Sequence, residues 1–337
     1  MRLQLLLLLS ILLFRAGAQE KTYQVRTIAF YNLENLFDTH NDTLIRDDER
    51  TPEGADRWSD TRLKRKLKNL SSVLSEIGGE IRANPPDIIG VCEVENRKVL
   101  EDLVGEPALI PYDYGIIHRD SPDHRGIDVA LLYRKGRFFP LEVKSFRLIL
   151  HDAEGIRKYT RDQLVVSGLL DQEEIYLLVN HWPSRAGAAL QSRLYRKEAA
   201  LRQRFLVDSI LYRNPGAKII SMGDFNDNPT DPSMRILCKG RSPKGDLYNP
   251  MEKLFRKGTG SLAYRDRWNL FDQILFSKSL INPSAGNYGL WRTRVFQPSY
   301  LKTREGRYRG YPFRTYAGGR YQGGFSDHFP VYAFLIR

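Results

Sequence analysis

The 337-residue sequence predicts an α/β fold in which two mixed β-sheets pack face to face with helices on the outside. Strand-like apolar runs recur along the whole chain, and stretches with helical periodicity interrupt them. Some neighbouring runs are joined through a helix and others through a short turn, a mixture that does not suit a purely parallel, doubly wound sheet. Composition agrees. Apolar residues at 42 % and charged residues at 27 % are ordinary globular values. The 26 Gly and 17 Pro are scattered without a period, which excludes collagen-like and low-complexity chains.

The first 18 residues read as a cleavable export leader rather than as part of the fold. Arg2 precedes the apolar run 3–14, and Ala16-Gly17-Ala18 forms a small-x-small cleavage pattern before Gln19. An apolar run of about a dozen residues is short for a membrane span. The expected mature chain, residues 19–337, is one domain without a transmembrane segment, exported to the periplasm or the medium. Strands are expected at 27–31, 87–91, 113–118, 127–133, 164–170, 175–180, 218–222, 271–276 and 331–336. Residues 60–81 carry Leu63, Leu67, Leu70, Val73, Leu74 and Ile77, the apolar stripe of a helix. Helices are also expected at 97–104 and 190–211. Lys135-Gly136-Arg137 reads as the turn of a hairpin joining 127–133 to 138–150. The two cysteines, Cys92 and Cys238, could pair in an exported chain, although separate buried thiols are the simpler reading.

Polar, metal-competent residues sit just past the ends of these strands, where a sheet scaffold places a site. In chain order they are Asn32-Leu33-Glu34-Asn35, Glu93-Val94-Glu95, Asn180-His181, Gly223-Asp224-Phe225-Asn226, Asp272 and Ser326-Asp327-His328. Each alone has a plain structural reading: asparagine is a turn former, and a lone histidine is usually a packed polar group. Together they make sense for one reaction class. Carboxylate and amide oxygens without cysteine favour a hard ion such as Mg²⁺, with Mn²⁺ or Ca²⁺ as alternatives. Two histidines can then carry protons, an aspartate can fix the tautomer of one of them, and an arginine can clamp phosphate. These are the parts of a metal-assisted hydrolysis of a phosphate ester.

In these segments, from Tyr31-Asn32 to Ser326-Asp327-His328, the chain resembles the endonuclease/exonuclease/phosphatase superfamily of DNase I-like phosphoesterases. The resemblance implies a four-layer α/β/β/α sandwich. It implies that Glu93 is the principal metal ligand, with Asn32 beside it and Asp327 close to the metal. Glu34 stands where some relatives carry an acid near the metal. Asp224 would orient or activate the attacking water and Asn226 would hold the phosphate. His328, oriented by Asp272, would contact the phosphate or act as base, and His181 would serve the leaving oxygen. An acidic partner for His181 is not identifiable in the sequence, although Asp120, Asp123 and Asp128 lie in a plausible region. Arg185 is placed either to reach a phosphate or to form a surface ion pair.

Lys and Arg outnumber Asp and Glu by 52 to 40, a net charge of +12. The excess concentrates in residues 286–325, where eight Lys/Arg and ten aromatics accompany one acid, Glu305. Interleaved arginines and rings suit a nucleic-acid strand, through phosphate pairing and base stacking. A secreted nuclease acting on DNA or RNA is the first expectation. A phosphodiesterase or phosphatase for sphingolipid, phospholipid or inositol phosphate is the second, and a non-catalytic polyanion-binding module the third.

Overall fold

The computed structural model describes residues 23–239 and 245–337, so the expected export leader lies outside the described residues. The first sheet contains β1 (Val25–Leu36), β2 (Ile88–Val94), β3 (Tyr114–His118) and β4 (Asp128–Arg134). The second contains β5 (Phe138–Phe146), β6 (Gln163–Leu170), β7 (Glu173–His181), β8 (Ile219–Asp224), β9 (Leu247–Tyr248) and β10 (Asp272–Ser277). The chain then returns to the first sheet as β11 (Gly289–Val295) and β12 (Val331–Ile336). Strand order is β11-β12-β1-β2-β4-β3 in one sheet and β9-β10-β8-β7-β6-β5 in the other. Each sheet has a single parallel pair at its centre, β1 with β2 and β7 with β8, flanked by antiparallel strands.

Side-chain alternation along these strands builds three apolar layers. On the outer face of the first sheet, Ala29, Tyr31, Ile89 and Val91 pack on helix α1 (Asp60–Glu76) and helix α2 (Arg97–Val104). All six residues of the predicted stripe, from Leu63 to Ile77, enter that layer. Between the sheets lie Ile28, Phe30, Ile88, Cys92, Leu177, Val179, Ile220 and Met222. Outside the second sheet, Leu178 and Ile219 meet Ala199, Ala200, Leu206, Val207 and Ile210 of helix α3 (Ala189–Arg213) and Met234 and Leu237 of helix α4 (Pro232–Lys239). The expected α/β/β/α layering is therefore present.

Two local expectations are corrected. Residues 135–137 do form a tight turn, with Arg137 N donating to Arg134 O at 2.9 Å. They do not close a hairpin, because β4 pairs with β2 and β3 while β5 pairs with β6 in the other sheet. The turn carries the chain across the open edge of the sandwich, and Tyr133 and Phe138 pack edge to face at 5.6 Å over the inter-sheet core. Helix α1 stops at Glu76, not at 81, because Ile77 is extended and Gly78 turns into the left-handed region at φ 83°. Part of the basic, aromatic run 286–325 is the edge strand β11, pairing with β12 from Gly289 to Val295. Cys92 and Cys238 are both free; Cys92 is buried and Cys238 half-buried. No helix among the described residues is long and apolar enough to cross a membrane.

The two sheets approach each other closely at Gly90 on β2. A Cβ there would lie 2.6 Å from the Met222 sulfur and 3.1 Å from a Phe30 ring carbon. Gly90→Val is expected to destabilise the fold by about 1–3 kcal/mol through overpacking. Urea denaturation of the two proteins measures the difference, and an unchanged midpoint would show that the interface relaxes around the larger side chain.

Candidate active site

The site is the polar end of the inter-sheet core. Ile28 and Phe30 of β1 point between the sheets, and Asn32 is the next residue in that phase. Ile175, Leu177 and Val179 of β7 lead to His181, and Ile220 and Met222 of β8 lead to Asp224. On β10, which runs the opposite way, Phe276 and Ile274 lead back to Asp272. Register then aligns three of these residues in one row, since Asp224 sits opposite His181 on β7 and opposite Asp272 on β10.

Glu93 reaches the same pocket by a different route. Unbroken alternation would send it away from the inter-sheet face that Cys92 occupies. Instead the β2–β4 register shifts between Cys92 and Val94, and Glu93 takes a left-handed backbone at φ 59°. A second shift lies on β1 between Asn32 and Leu36, where Glu34 and Asn35 are left-handed at φ 50° and 51°. Such bulges re-aim side chains at sheet rims. Asn35 N–H then donates to Glu93 Oε2 at 3.0 Å.

The groups converge closely. Asn32 Nδ2 donates to Glu93 Oε1 at 3.3 Å and to Asp224 Oδ2 at 3.2 Å, bridging the sheets. Its amide oxygen accepts the Glu34 N–H at 2.9 Å, so the amide must turn over before that oxygen can face a metal. His181 Nε2 lies 3.8 Å from Glu93 Oε1 and 3.7 Å from Asp224 Oδ2. Asp224 Oδ1 accepts the Asn226 N–H at 2.9 Å. His328 Nδ1 meets Asp272 Oδ2 at 2.6 Å, and its Nε2 lies 3.9 Å from both Asp224 Oδ2 and Asp327 Oδ1.

Burial sets the charge states. It pushes the Asp224 carboxyl up to about 7, with His328 working against the rise and Asp272 with it. Burial, reinforced by Arg161 and Arg125, holds His181 well below the usual imidazole range, so that ring is neutral. Burial also opposes charge on His328, but the Asp272 carboxylate at Nδ1, with Asp327 and Asp224, carries its pKa well above the usual value. The pocket thus gathers Glu93, Asp224, Asp272 and Asp327 around a single imidazolium. That excess of hard oxygen donors fits a divalent cation. The group in this pocket whose ligand atoms lie close enough together to share one is Asp224, Asp272 and His328. Glu93, Asp327 and Asn32, the ligands expected from the sequence, stand around it, held in this structure by Asn35, Arg314 and the Glu34 N–H.

Other expected residues are placed differently. Glu34 turns to the neighbouring loop, where Thr315 N–H donates to Oε2 at 2.7 Å and Arg314 Nε to Oε1 at 3.2 Å. Lys66 Nζ lies 3.6 Å from Glu34 Oε2. Arg314 also donates to Asp327 Oδ2 at 2.8 Å, which ties Glu34 to the rim of the pocket. Asn226 Nδ2 donates to Trp182 O at 2.9 Å, so its amide braces the 181–185 loop. Arg185 donates to Asn226 O at 2.9 Å and to Asp227 and Asp231 at 3.0 and 2.6 Å, the ion-pair alternative of the sequence reading.

None of the three candidate partners touches His181. Asp128 pairs with His118 Nε2 at 3.0 Å, Asp123 with Arg161 at 2.9 Å, and Asp120 is largely exposed 3.7 Å from His118. Among the described residues, His181 Nδ1 has no hydrogen-bond partner. Its loop is held instead through backbone, with Arg161 Nη2 donating to Trp182 O at 2.7 Å and Arg196 to Ser184 O at 3.2 Å. Sequence reasoning missed Lys66, Arg161 and Arg314. Lys66 could have been found, since a lysine inside the apolar stripe of α1 must reach a buried anion or carbonyl. Arg161 and Arg314 carry no local signal.

Residues 27–337 match a family profile described as the Endonuclease/Exonuclease/phosphatase family, and the chain belongs to that family of metal-dependent phosphoester hydrolases. No curated protein sequence matches it significantly. Among solved structures it is similar to an endonuclease/exonuclease/phosphatase family protein from Bacteroides thetaiotaomicron, at 21 % identity and TM-score 0.55, over 94 % of this chain and 99 % of that one. It is also similar to a mannosyl-6-phosphatase of Bacteroides thetaiotaomicron, at 20 % identity and TM-score 0.56, over 92 % and 99 %. TDP2 of D. rerio, solved with a single-strand DNA product, aligns at 16 % identity and TM-score 0.55 over 93 % and 99 %. At these identities the likeness shows the shared fold.

The buried Asp123–Arg161 pair behind His181 makes a stability prediction. Burial would raise the Asp123 carboxyl, but Arg161 and Arg125 hold it below the usual range. A depressed folded-state pKa gives stability above the unfolded value of about 3.9, lost as pH falls through the folded value. Asp123→Asn is expected to cost about 3–5 kcal/mol at pH 7 by stranding Arg161. The gap between the two proteins should narrow below about pH 4. Urea denaturation at pH 7 and pH 3 reads both effects.

Proposed function

We propose that this family member is an exported, Mg²⁺-dependent nuclease that hydrolyses phosphodiester bonds of DNA or RNA. The observation that carries this reading is the meeting of Asn32, Glu93, His181, Asp224 and the Asp272–His328 pair in one pocket. Two features of the sequence support the substrate and the location. The chain is strongly basic, with Lys and Arg exceeding the acids by 12, which suits a polyanion. Residues 1–18 read as an export leader, which supports a location in the periplasm or the medium.

Glu93, with Asp327 and Asn32, would hold the ion, which when bound draws charge from the scissile phosphate. Mg²⁺ is the best match to an all-oxygen donor set that includes no thiolate. Asp224 Oδ2 faces the space between Glu93 and the two histidines and is placed to take the proton of the attacking water. The Asn226 N–H on Oδ1 fixes the direction of that carboxylate. His328, anchored through Nδ1 on Asp272, turns Nε2 to the phosphate and supplies positive charge there. His181 offers Nε2–H to the leaving oxygen from the other side.

Incubation of DNA and RNA oligonucleotides with the protein and Mg²⁺ is expected to give cleavage that EDTA abolishes. Glu93→Ala should lower kcat by about 10²–10³ or more. Asp272→Asn, which leaves the His328 ring in place but changes its partner, should lower kcat by about 10²–10⁴ with KM little changed. Release of phosphate or phosphocholine from sugar, inositol or sphingolipid phosphoesters, with nucleic acid left intact, would overturn the nuclease reading.

A further inference from the structure

Beside the pocket lies a cavity of about 560 Å³ that the hydrolytic machinery does not use. One wall is the tip of the hairpin of Leu262–Tyr264 with Arg267–Asn269, through Ala263, Tyr264, Arg265 and Asp266, and the other is drawn from the run 303–322. Its volume is that of sites which take nucleotide-sized ligands. Arg314 lines it and bonds Asp327, the neighbour of His328. Each outer wall carries an arginine–tyrosine pair. The Arg265 guanidinium lies 5.2 Å from the Tyr264 ring, and the Arg307 guanidinium 5.8 Å from the Tyr308 ring.

A ladder of rings connects this cavity to the site. Phe329, next to His328, stacks on Trp268 at 6.0 Å and 15°. Trp268 lies 5.9 Å from Tyr311, which lies 5.7 Å from Tyr308. The hairpin tip is also strained. Its two loop residues, Arg265 and Asp266, have φ 49° and 59°, a turn that glycine and asparagine make at lower cost. The Tyr311 hydroxyl holds that turn, accepting from Asp266 N–H at 2.7 Å and donating to Asp266 Oδ1 at 2.6 Å. The fold thus keeps an arginine at a position where it costs stability, on the wall of the cavity. Of the two acids that line the cavity, Asp266 is engaged by Tyr311 and Glu305 is left at the rim.

We propose that this cavity is a subsite for an unpaired nucleotide flanking the scissile phosphate. Its base stacks on Tyr264 and Tyr308, and Arg265 and Arg307 hold its phosphate. A base paired in a duplex is not free to enter, so single-stranded nucleic acid is the preferred substrate. The inference rests on the nuclease reading.

The test compares wild type with Arg265→Gly and Tyr308→Ala on three substrates in Mg²⁺: a single-stranded oligonucleotide, its duplex, and bis(p-nitrophenyl) phosphate, which is too small to span the site and the cavity. Binding of a 2-aminopurine-labelled single strand in EDTA supplies a readout independent of turnover. Wild type is expected to favour the single strand over the duplex by about tenfold or more and to quench 2-aminopurine. Each variant should weaken single-strand binding and raise KM by about tenfold while hydrolysing the small diester at the wild-type rate. Arg265→Gly should also melt no lower than wild type, since glycine relieves the turn. Equal handling of single strand and duplex, unchanged binding in both variants, or equal losses on the oligonucleotide and the small diester would each overturn the proposal. Cleavage of the small diester by wild type with no nucleic acid cleaved would instead overturn the nuclease reading beneath it.

Discussion

The pocket depends on a pleat phase held to the site end of four inner strands, β1, β7, β8 and β10. A strand whose residues alternate between two faces keeps one face toward the partner sheet for its whole length. In β1, β7, β8 and β10 that face is apolar through the body of the strand, at Ile28 and Phe30, Ile175, Leu177 and Val179, Ile220 and Met222, and Ile274 and Phe276, and at the site end it becomes Asn32, His181, Asp224 and Asp272. The packing that holds the sandwich together is therefore also what aims the polar groups. A slip of one residue in any of these strands would move both its core residues and its site residue to the opposite face. Glu93 escapes the rule through a bulge and a left-handed backbone, which explains why a non-glycine residue occupies that conformation.

The second constraint is charge. Carboxylates from three strands and the last loop meet at the top of an apolar core, where burial disfavours the ionised form of Asp224. The protein offsets part of this with the His328 imidazolium and part with the Asn32 amide, whose two donors reach carboxylates of both sheets. His181 contributes no charge, because its ring is buried and Arg161 and Arg125 stand close. The remaining excess of negative charge is a demand that a divalent cation meets. Further out, Lys66, Arg161 and Arg314 bond acids and carbonyls of the loops that carry Glu34, Trp182 and Asp327. Lys66 and Arg161 brace irregular backbone from outside the pocket, while Arg314 reaches its rim at Asp327.

Local pattern carried much of this in the sequence. The apolar stripe of α1 is legible because a helix repeats every 3.6 residues, and all six of its predicted residues are core. The strands are legible as β-branched and aromatic runs, and the polar residues after them stand out because they interrupt those runs. The hairpin expectation for 135–137 failed for a physical reason. A tight turn reverses the chain equally well within one sheet or around the edge of two, and only the partners of β4 and β5 distinguish the cases. Glu34 and Glu93 look alike in sequence, each an acid just past the apolar part of a strand. Only the fold shows that one faces the pocket and the other is taken up by Thr315, Arg314 and Lys66, from segments far away in the chain.

By itself the sequence determined the α/β class, the positions of the main helices and strands, and the set of oxygen and imidazole groups that ends the inner strands. These follow from periodicity and residue chemistry, which act over a few neighbouring residues. Tertiary structure alone decided which acid faces the pocket, that none of Asp120, Asp123 and Asp128 reaches His181, that Arg185 is bound up with Asp227 and Asp231, and that a hairpin tip and a distant loop line a cavity shared by Arg314, the partner of Asp327. Those outcomes depend on groups tens to hundreds of residues apart meeting at a few ångströms. Hydrogen bonding and desolvation act at that range, and no local pattern records it.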